Sequence, residues 1–286
     1  MRTITNNTQL CAVIGNPVAH SLSPAIHNAG YAALDLDFVY IACRVDDVRG
    51  ALAGVRALGN FRGLSVTIPH KIEAMHWVDE VAEVDRAIGS LNTVIHEDGK
   101  LLGFGTDGPG AIKALADAGV EVAGANVLLL GAGGAARAIS FTLARQSGLR
   151  ELALLDINEP VLRGLARDLR AGTPAHVADT ILTPETLATA MARADIVIHC
   201  TPIGMHPKVN ASVVPAELFR PEQVVFDIVY TPLETKLLAD ARASGCRIIP
   251  GVEMFLNQAV LQFEAFTGVP APFEAMRRVL IERLVS

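Results

Sequence analysis

The sequence has few cysteines, and their arrangement indicates neither a disulfide framework nor a metal site. Its 286 residues include four cysteines, which stand far apart with no CxxC pair. They are Cys11, Cys43, Cys200 and Cys246. The eight histidines form no HExxH motif and no cluster with cysteine, so we expect no metal. This pattern favours reduced core thiols in a cytoplasmic protein.

Long apolar runs and an excess of basic residues are also missing. The apolar run 127–136 is broken by glycines and is far shorter than the roughly 18 to 20 residues that cross a bilayer. The first ten residues are polar and show no secretory signal, so export is not expected. The 24 basic against 30 acidic residues give a net charge of -6. We therefore expect neither a membrane nor a nucleic acid as partner.

The composition is that of an ordinary globular protein, with 51% hydrophobic, 19% charged and only 5% aromatic residues. At roughly 100 to 200 residues per domain, this length suits one large domain or two smaller ones. We expect two.

Short apolar runs alternate with amphipathic stretches through the first hundred residues. The pattern predicts strands at 11–14, 38–43 and 64–68, separated by helices at 24–36 and 46–58. Such βαβαβ order is typical of a mainly parallel sheet covered by helices on both faces. A hairpin follows, with strands at 91–96 and 101–104 and its turn at Asp98 and Gly99.

After a helix at 109–118 the alternation restarts and predicts a second α/β domain. The predicted strands are 127–130, 151–155, 195–200, 224–228 and 246–249. The predicted helices are 134–147, 160–169 and 234–243. Two terminal helices, at 253–266 and 273–285, are expected to pack back on the first domain.

The segment VLLLGAGGAAR (127–137) carries an apolar strand through glycines into a helix. Gly131 permits the sharp turn, Gly133 lets a pyrophosphate approach the backbone, and the amides of the new helix present donors. The loop residues Gly131, Ala132, Gly133, Gly134 and Ala135 are therefore candidate cofactor ligands. The alternative is a glycine-rich turn without a ligand. The context favours a Rossmann-type, doubly wound domain that binds a dinucleotide.

Asp156 ends the next predicted strand, where a ribose-binding carboxylate is expected. Its charge would accept hydrogen bonds from both ribose hydroxyls and would repel a 2'-phosphate, which favours NAD over NADP. Two alternatives stay open. Asp156 could cap the helix near Pro160, and Arg163 and Arg167 on that helix leave NADP use possible.

Motifs in the first domain resemble those of the shikimate dehydrogenases and the related quinate/shikimate dehydrogenases. They are GNPVAHSLSP (15–24), LSVTIPHK (64–71), LNT (91–93) and GTDG (105–108), and the chain later carries GVEMFLNQA (251–259). The resemblance covers nearly the whole chain. It implies a substrate domain at 1–107, completed by 252–286, and a dinucleotide-binding domain at 108–251.

By this resemblance Lys71 and Asp107 are the catalytic pair. Reduction of a ring ketone needs a hydride on carbon and a proton on oxygen, and a lysine ammonium can donate that proton. Taken alone, Lys71 could be a solvated lysine and Asp107 a helix N-cap. Their joint occurrence in family motifs favours catalysis, whereas structural or solvated roles are favoured for the neighbouring His20 and His70.

The resemblance also assigns the substrate-binding residues. Ser21 and Ser23 would hold a carboxylate at a helix N-terminus, although Ser23 could simply cap that helix before Pro24. Thr67, Asn92 and Gln258 would bond ring hydroxyls. Tyr230 would lie near both substrate and nicotinamide.

On the nicotinamide side the resemblance places Thr201, Met205 and Gly251. Met205 could instead be a core residue, and Thr201 with Pro202 a strand terminator.

Two positions depart from the family pattern, because Ser65 and Gly105 stand where asparagines are usual. We expect an oxidoreductase that transfers hydride between NAD and shikimate or quinate, paired with their 3-dehydro ketones. A paralogue acting on another small carboxylated ring, such as an aminoshikimate-like acid, and a non-catalytic sensor of NAD and ring acid are the alternatives. The partner is a small cyclic hydroxy acid, and monomer or homodimer is left open.

Overall fold

The chain folds into two compact units in a computed structural model that describes residues 4–146 and 148–285. The first unit runs to Thr106 and resumes at Gln258, and the second runs from Asp107 to Asn257. The strands are β1 (Gln9–Gly15), β2 (Phe38–Arg44), β3 (Phe61–Val66), β4 (Glu80–Val81), β5 (Thr93–Glu97), β6 (Lys100–Phe104), β7 (Asn126–Leu130), β8 (Glu151–Asp156), β9 (Val177–Ile181), β10 (Ile196–His199), β11 (Val224–Asp227) and β12 (Arg247–Pro250). The helices are α1 (Ser23–Ala33), α2 (Val48–Ala57), α3 (Glu83–Ile88), α4 (Asp107–Asp117), α5 (Gly134–Gln146), α6 (Glu159–Gly172), α7 (Pro184–Arg193), α8 (Lys236–Ala243), α9 (Gly251–Thr267) and α10 (Phe273–Val285).

The sheet of the first unit is mixed, with the strand order β2-β1-β3-β5-β6-β4. The strands β2, β1 and β3 are parallel because helices connect them. The strands β5 and β6 form the predicted hairpin, in which β5 pairs antiparallel with both β3 and β6. The turn places Asp98 and Gly99 at positive φ, as the Asp-Gly pair predicts. The predicted α/β architecture is confirmed for this unit.

The C-terminal helices pack on the first unit, as predicted. The ring of Phe263 in α9 lies so close to α1 that a Cβ on Gly30 would approach it to 2.7 Å. Phe263 and Phe266 also face the rings of His27 and Tyr31 or Tyr40. Helix α10 packs against α1. An aromatic cluster therefore joins both ends of the sequence in one core.

The second unit carries a parallel sheet with the order β12-β11-β10-β7-β8-β9. Leu128 and Val197 pack with helices α7 and α8, while Leu129 and Ile198, which point to the opposite face, are also fully buried. Burial on both faces is what continuous apolar strands predict. The order in which strands are added to the sheet reverses between β7 and β10, which are parallel neighbours, and this creates the crevice where doubly wound domains bind ligands. The Rossmann-type prediction is confirmed.

The two alternatives that made Ser23 and Asp156 helix caps are wrong. Helix α1 begins at Ser23 itself, its N-cap is Leu22, and no side chain caps it. Helix α6 is capped by Asn158, whose side chain accepts a hydrogen bond from the amide of Val161, so Asp156 is not the cap. Both errors shift the cap by one or two residues, which is the usual uncertainty of a helix end read from sequence.

All four cysteines are free thiols. Burial raises the pKa of Cys11 to about 12, which keeps this thiol protonated. Cys43 and Cys200 are only partly buried, which corrects the expectation of core positions for these two. None of the helices in the described parts of the chain combines the length and the apolar character that a bilayer crossing needs.

Candidate active site

A buried network of amides and hydroxyls in the first unit joins two of the candidate substrate residues. The side-chain oxygen of Asn92 accepts a 2.7 Å hydrogen bond from the amide of Thr106, and its Nδ2 donates to the Thr106 hydroxyl at 2.9 Å. That hydroxyl lies 3.4 Å from Oε1 of Gln258, to which it donates. The structure therefore brings Asn92 and Gln258 together through Thr106, which the sequence did not single out.

The same network extends to the position that departs from the family pattern. The hydroxyl of Tyr40 donates to Oγ of Ser65 at 2.6 Å, and Ser65 donates to Oε1 of Gln262 at 2.7 Å. Gln262 in turn donates to the carbonyl of Asn92 at 3.2 Å. Burial raises the pKa of Tyr40, so its phenol remains a donor. The proton of Ser65 is thus committed to a protein partner.

Gly105 departs from the pattern for a steric reason. A Cβ added there would lie 2.6 Å from Oδ1 of Asp85, a carboxylate that is almost fully buried in α3. The space that an asparagine side chain would need at this position is therefore taken by Asp85. This pairing was invisible in the sequence, because the two residues lie in different elements.

Thr67 and Lys71 lie in the turn that follows β3. The amide of His70 donates to the carbonyl of Thr67 at 2.9 Å, and the carbonyl of Lys71 accepts from the amide of Leu91 at 2.9 Å. Gly15 leaves room for Thr67, since a Cβ there would lie 2.4 Å from its methyl group. His70 is buried, with Nε2 2.8 Å from the carbonyl of Val45, so its contact is structural.

Ser21 and Ser23 lie at the N-terminus of α1. Oγ of Ser21 accepts a hydrogen bond of 3.3 Å from the amide of Ser23, and Ser23 lies in the first turn of the helix. Two hydroxyls therefore lie at the N-terminal end of α1, where the helix dipole favours a negative charge. Such an end suits a carboxylate.

Asp107 is the first residue of α4 and belongs to the second unit, whereas Lys71 belongs to the first. Both side chains are half-buried. Helix α4 lies against α5 without room for a larger residue, since a Cβ on Gly108 would lie 2.0 Å from Oγ1 of Thr142. The pairing of Lys71 with Asp107 stays a prediction.

The glycines of the loop after β7 are of two kinds: Gly131 is required by the backbone, whereas Gly133 and Gly134 have open space beside them. Gly131 has a φ of +110°, and a Cβ there would lie 2.9 Å from the carbonyl oxygen of Cys200. Cβ atoms on Gly133 and Gly134 would meet no protein atom within 4 Å. The open space beside Gly133 and the free amides at the start of α5 fit a pyrophosphate.

Asp156 lies beside this loop at the end of β8. Its Oδ2 accepts from the amide of Ala132 at 2.7 Å, and its Oδ1 accepts from the amide of Asn158 at 2.7 Å. The carboxylate is therefore fixed at the loop in the position expected for a ribose-binding residue.

The arginines near Asp156 are engaged by other carboxylates. Arg163 forms an ion pair with Asp179, and Arg167 pairs with Asp168 at 3.0 Å. Burial alone would raise the pKa of Asp179, but hydrogen bonds from Arg170 and Arg163 hold it below its usual value.

The remaining candidates lie in the second unit. The ring of Tyr230 stacks on Phe255, with centroids 4.5 Å apart, and burial raises the pKa of Tyr230. Gly251 is required by packing, because a Cβ there would lie 2.5 Å from the carbonyl of Ile228. Met205 is 44% exposed, so the alternative of a core residue is wrong for it. Thr201 follows β10 and is half-buried.

Comparison with known proteins identifies relatives along the whole chain. The family model described as the shikimate dehydrogenase substrate binding domain matches residues 13–94, and that of the shikimate 5'-dehydrogenase C-terminal domain matches 251–281. The shikimate dehydrogenase (NADP(+)) of Moorella thermoacetica is 44% identical over 281 residues, which is 97% of this chain and 94% of that protein.

Solved structures agree. The shikimate 5-dehydrogenase of Listeria monocytogenes, in complex with shikimate and NAD, has a TM-score of 0.91 at 33% identity and covers 98% of this chain and 99% of its own. The quinate dehydrogenase of Corynebacterium glutamicum, in complex with NAD, has a TM-score of 0.89 at 29% identity and covers 96% and 99%. The chain belongs to the shikimate dehydrogenase family.

Proposed function

We propose that this protein is an oxidoreductase that transfers hydride between a nicotinamide dinucleotide and the ring alcohol of shikimate or quinate. The observation that carries the proposal is the 44% identity to a shikimate dehydrogenase over 97% of the chain. The hydroxyls of Ser21 and Ser23 in the first unit and the glycine loop of the second unit support it.

Lys71 moves the proton in this proposal. In the oxidative direction the amine of Lys71 accepts the hydroxyl proton of the ring alcohol, while a bound nicotinamide would accept the carbon-bound hydrogen as hydride. In the reductive direction the ammonium of Lys71 returns the proton to the ketone oxygen. Asp107 orients the ammonium. When bound, the nicotinamide supplies or accepts the hydride.

The first unit binds the acid. Ser21 and Ser23 hold the carboxylate, since the start of α1 offers two hydroxyls and the positive end of the helix dipole. Thr67, Asn92 and Gln258 hold the ring hydroxyls. A ring that lacks one of these hydroxyls forgoes its hydrogen bond to a buried polar side chain and is therefore bound less tightly.

The cofactor is NAD in preference to NADP. The fixed carboxylate of Asp156 suits two ribose hydroxyls and repels a 2'-phosphate. Arg163 and Arg167, the basic groups that a 2'-phosphate would use, are paired with Asp179 and Asp168. Curated relatives such as that of Moorella thermoacetica carry NADP(+) in their names, so the preference distinguishes this chain from them.

A second substrate is favoured by one observation, the buried Asp85 carboxylate beside Gly105. Where the family usually has two asparagine amides, at positions 65 and 105, this chain has the Asp85 carboxylate beside Gly105 and the hydroxyl of Ser65, which already donates to Gln262. A related carboxylated ring with an additional donor, such as an amino-substituted analogue, would suit this change.

Initial rates with shikimate and quinate, each with NAD and with NADP, test the proposal. We expect reduction of NAD with at least one acid, at a higher kcat/KM than with NADP. A higher kcat/KM with NADP would refute the cofactor preference alone. No reduction of either dinucleotide by any of these acids would refute the proposed reaction. An amino-substituted acid that is oxidised faster than both would favour the second substrate.

A further inference from the structure

The end of β10 carries a fully buried histidine that the proposed chemistry does not use. His199 is the last residue of β10 and lies in register with Asp227, the last residue of β11. Nδ1 of His199 is 2.8 Å from Oδ1 of Asp227, and Nε2 is 2.5 Å from Oγ1 of Thr201. Both the histidine and the aspartate are fully buried. Asp227, His199 and Thr201 therefore form one hydrogen-bonded line.

The other partners of Asp227 fix the direction of the protons. Oδ1 accepts from the amide of Val229 at 3.0 Å, and Oδ2 accepts from the hydroxyl of Thr235 at 2.6 Å. Since both oxygens already accept hydrogen bonds, Asp227 acts as a carboxylate and Nδ1 of His199 is the donor to it. Nε2 is thereby left to hold the hydroxyl of Thr201.

Thr201 stands at the crevice between β7 and β10. Its methyl group lies 3.1 Å from the position of a Cβ on Gly131, so this methyl faces the glycine loop while the hydroxyl faces His199. The same hydroxyl accepts a hydrogen bond from the amide of Ile203 at 3.2 Å. His199 thus fixes both the rotamer of Thr201 and the start of the loop at 201–205.

We propose that His199, backed by Asp227, is a positioning residue that sets the Thr201 hydroxyl and the 201–205 loop for binding of the dinucleotide. The inference rests on the proposed function, since it is the resemblance to the shikimate dehydrogenases that puts Thr201 and Met205 on the nicotinamide side. His199 acts through Thr201 and does not touch the cofactor itself.

The order Asp, His and Thr is also that of a nucleophilic triad. The surroundings favour positioning instead, because the imidazole is fully buried and the Thr201 oxygen already accepts from Ile203. A nucleophile would need that oxygen to face the substrate.

His199→Asn is the variant that tests the proposal. The asparagine amide can replace Nδ1 as donor to Asp227, so the buried carboxylate keeps its partner, but it has no atom in place of Nε2 to reach Thr201. Thr201→Val removes the same contact from the other side without changing the side-chain shape. Thr201→Ser, in contrast to Thr201→Val, keeps the hydroxyl. The matched control is His96→Asn, since His96 also donates through Nδ1, in its case to the carbonyl of Phe61 at 3.0 Å, but lies in the first unit.

We expect His199→Asn and Thr201→Val each to raise the KM and Kd for the dinucleotide by roughly tenfold, with a smaller change in kcat. The double variant should lose no more than either single variant, because both remove one contact. Thr201→Ser should lose less affinity than Thr201→Val, because it keeps the hydroxyl. His96→Asn should leave the KM unchanged. Additive losses in the double variant, or an unchanged KM and Kd in His199→Asn, would overturn the positioning role.

Calorimetric binding of NAD and NADP keeps this test separate from the proposed reaction. If the wild type binds dinucleotide but oxidises none of the acids, the proposed reaction fails, and the Kd series alone decides the role of His199. A melting temperature recorded for each variant shows whether loss of fold accounts for weaker binding; equal melting temperatures with weaker binding support positioning. If binding weakens only in variants whose melting temperature is also lowered, the positioning role of His199 is contradicted.

Discussion

Oδ2 of Asp156 accepts a hydrogen bond of 2.7 Å from the amide of Ala132, so the last residue of β8 is tied to the glycine loop that follows β7. The other carboxylate oxygen accepts from Asn158. Two backbone amides therefore hold a negative charge at one side of the loop. A side chain fixed in this way loses little further conformational entropy when a ribose binds to it.

Asp156→Ser is expected to shift the cofactor preference toward NADP. The substitution removes the charge that repels a 2'-phosphate and also the acceptors for the ribose hydroxyls. We expect the ratio of kcat/KM for NAD to that for NADP to fall by at least about tenfold, or roughly 1.4 kcal/mol. Initial rates with each cofactor at saturating acid measure the ratio.

Asp240→Asn is the control for this change. Asp240 pairs with Lys236 at 2.8 Å on α8, and its substitution removes one negative charge from the same unit. The ratio should not move in this variant. An unchanged ratio in Asp156→Ser, or an equal change in both variants, would show that Asp156 does not select the cofactor.

The sequence predicted most elements, because buried parallel strands are continuous apolar runs that are easily recognised. The strand β9 and helix α7 were not predicted. β9 is an edge strand with the sequence VADTI. Its Asp179 forms ion pairs with two arginines, so the strand lacks a continuous apolar pattern. The short α3 was missed because its first turn is charged and it has only six residues.

The candidate site, like the fold, could be predicted from the sequence only in part. Local geometry, such as the turn at Gly131, follows from the motif itself, because the residues that set it are neighbours in the chain. The contacts of Ser65 do not, because its partners Tyr40 and Gln262 lie 25 and 197 residues away. Such partners are recognisable from the sequence only when a motif already includes them.

Lys71→Ala is expected to lose most of the turnover while retaining the dinucleotide. General acid or base catalysis contributes about 10² to 10⁴ in rate, so kcat should fall by a factor in that range. The Kd for the dinucleotide, measured by quenching of protein fluorescence, should not change. Lys100→Ala is the control, since Lys100 is an exposed lysine of the same unit that pairs with Glu80 at 3.0 Å. An unchanged kcat in Lys71→Ala would remove Lys71 from the mechanism.

Two alanine substitutions in the glycine loop should affect different properties: Gly131→Ala the stability of the protein, and Gly133→Ala its affinity for the dinucleotide. Gly131→Ala meets the carbonyl of Cys200 at 2.9 Å and an unfavourable φ, so the free energy of unfolding should fall by about 1 to 3 kcal/mol. Gly133→Ala meets no protein atom, so stability should stay within about 0.5 kcal/mol. The added methyl group fills the space proposed for the pyrophosphate, and the Kd for the dinucleotide should rise roughly tenfold or more.

Urea unfolding and dinucleotide titration of both variants separate these effects. A Gly133→Ala protein that is as stable as the wild type and binds the dinucleotide equally well would place the pyrophosphate elsewhere. A Gly131→Ala protein of full stability would contradict the steric account of the turn.

His27 is expected to make the protein acid-sensitive. Its ring stacks on Tyr40, with centroids 4.3 Å apart, and neither ring nitrogen has a hydrogen-bond partner among the described residues. Burial lowers the pKa of His27 to about 3. In the unfolded chain the pKa is about 6.5. Between these values the unfolded state binds a proton that the folded state does not, so stability falls as the pH falls.

His27→Phe keeps an aromatic ring in the cluster and removes the titrating group. For the wild type, this histidine should contribute a loss of up to about 1.4 kcal/mol per pH unit below pH 6.5, which amounts to roughly 2 to 3 kcal/mol by pH 4.5. We expect urea unfolding at pH 7 and pH 4.5 to show a smaller fall for His27→Phe than for the wild type. His76→Phe, at an exposed position of the same unit, should keep the wild-type slope. Equal slopes for His27→Phe and the wild type would mean that His27 takes up its proton without opening the aromatic cluster.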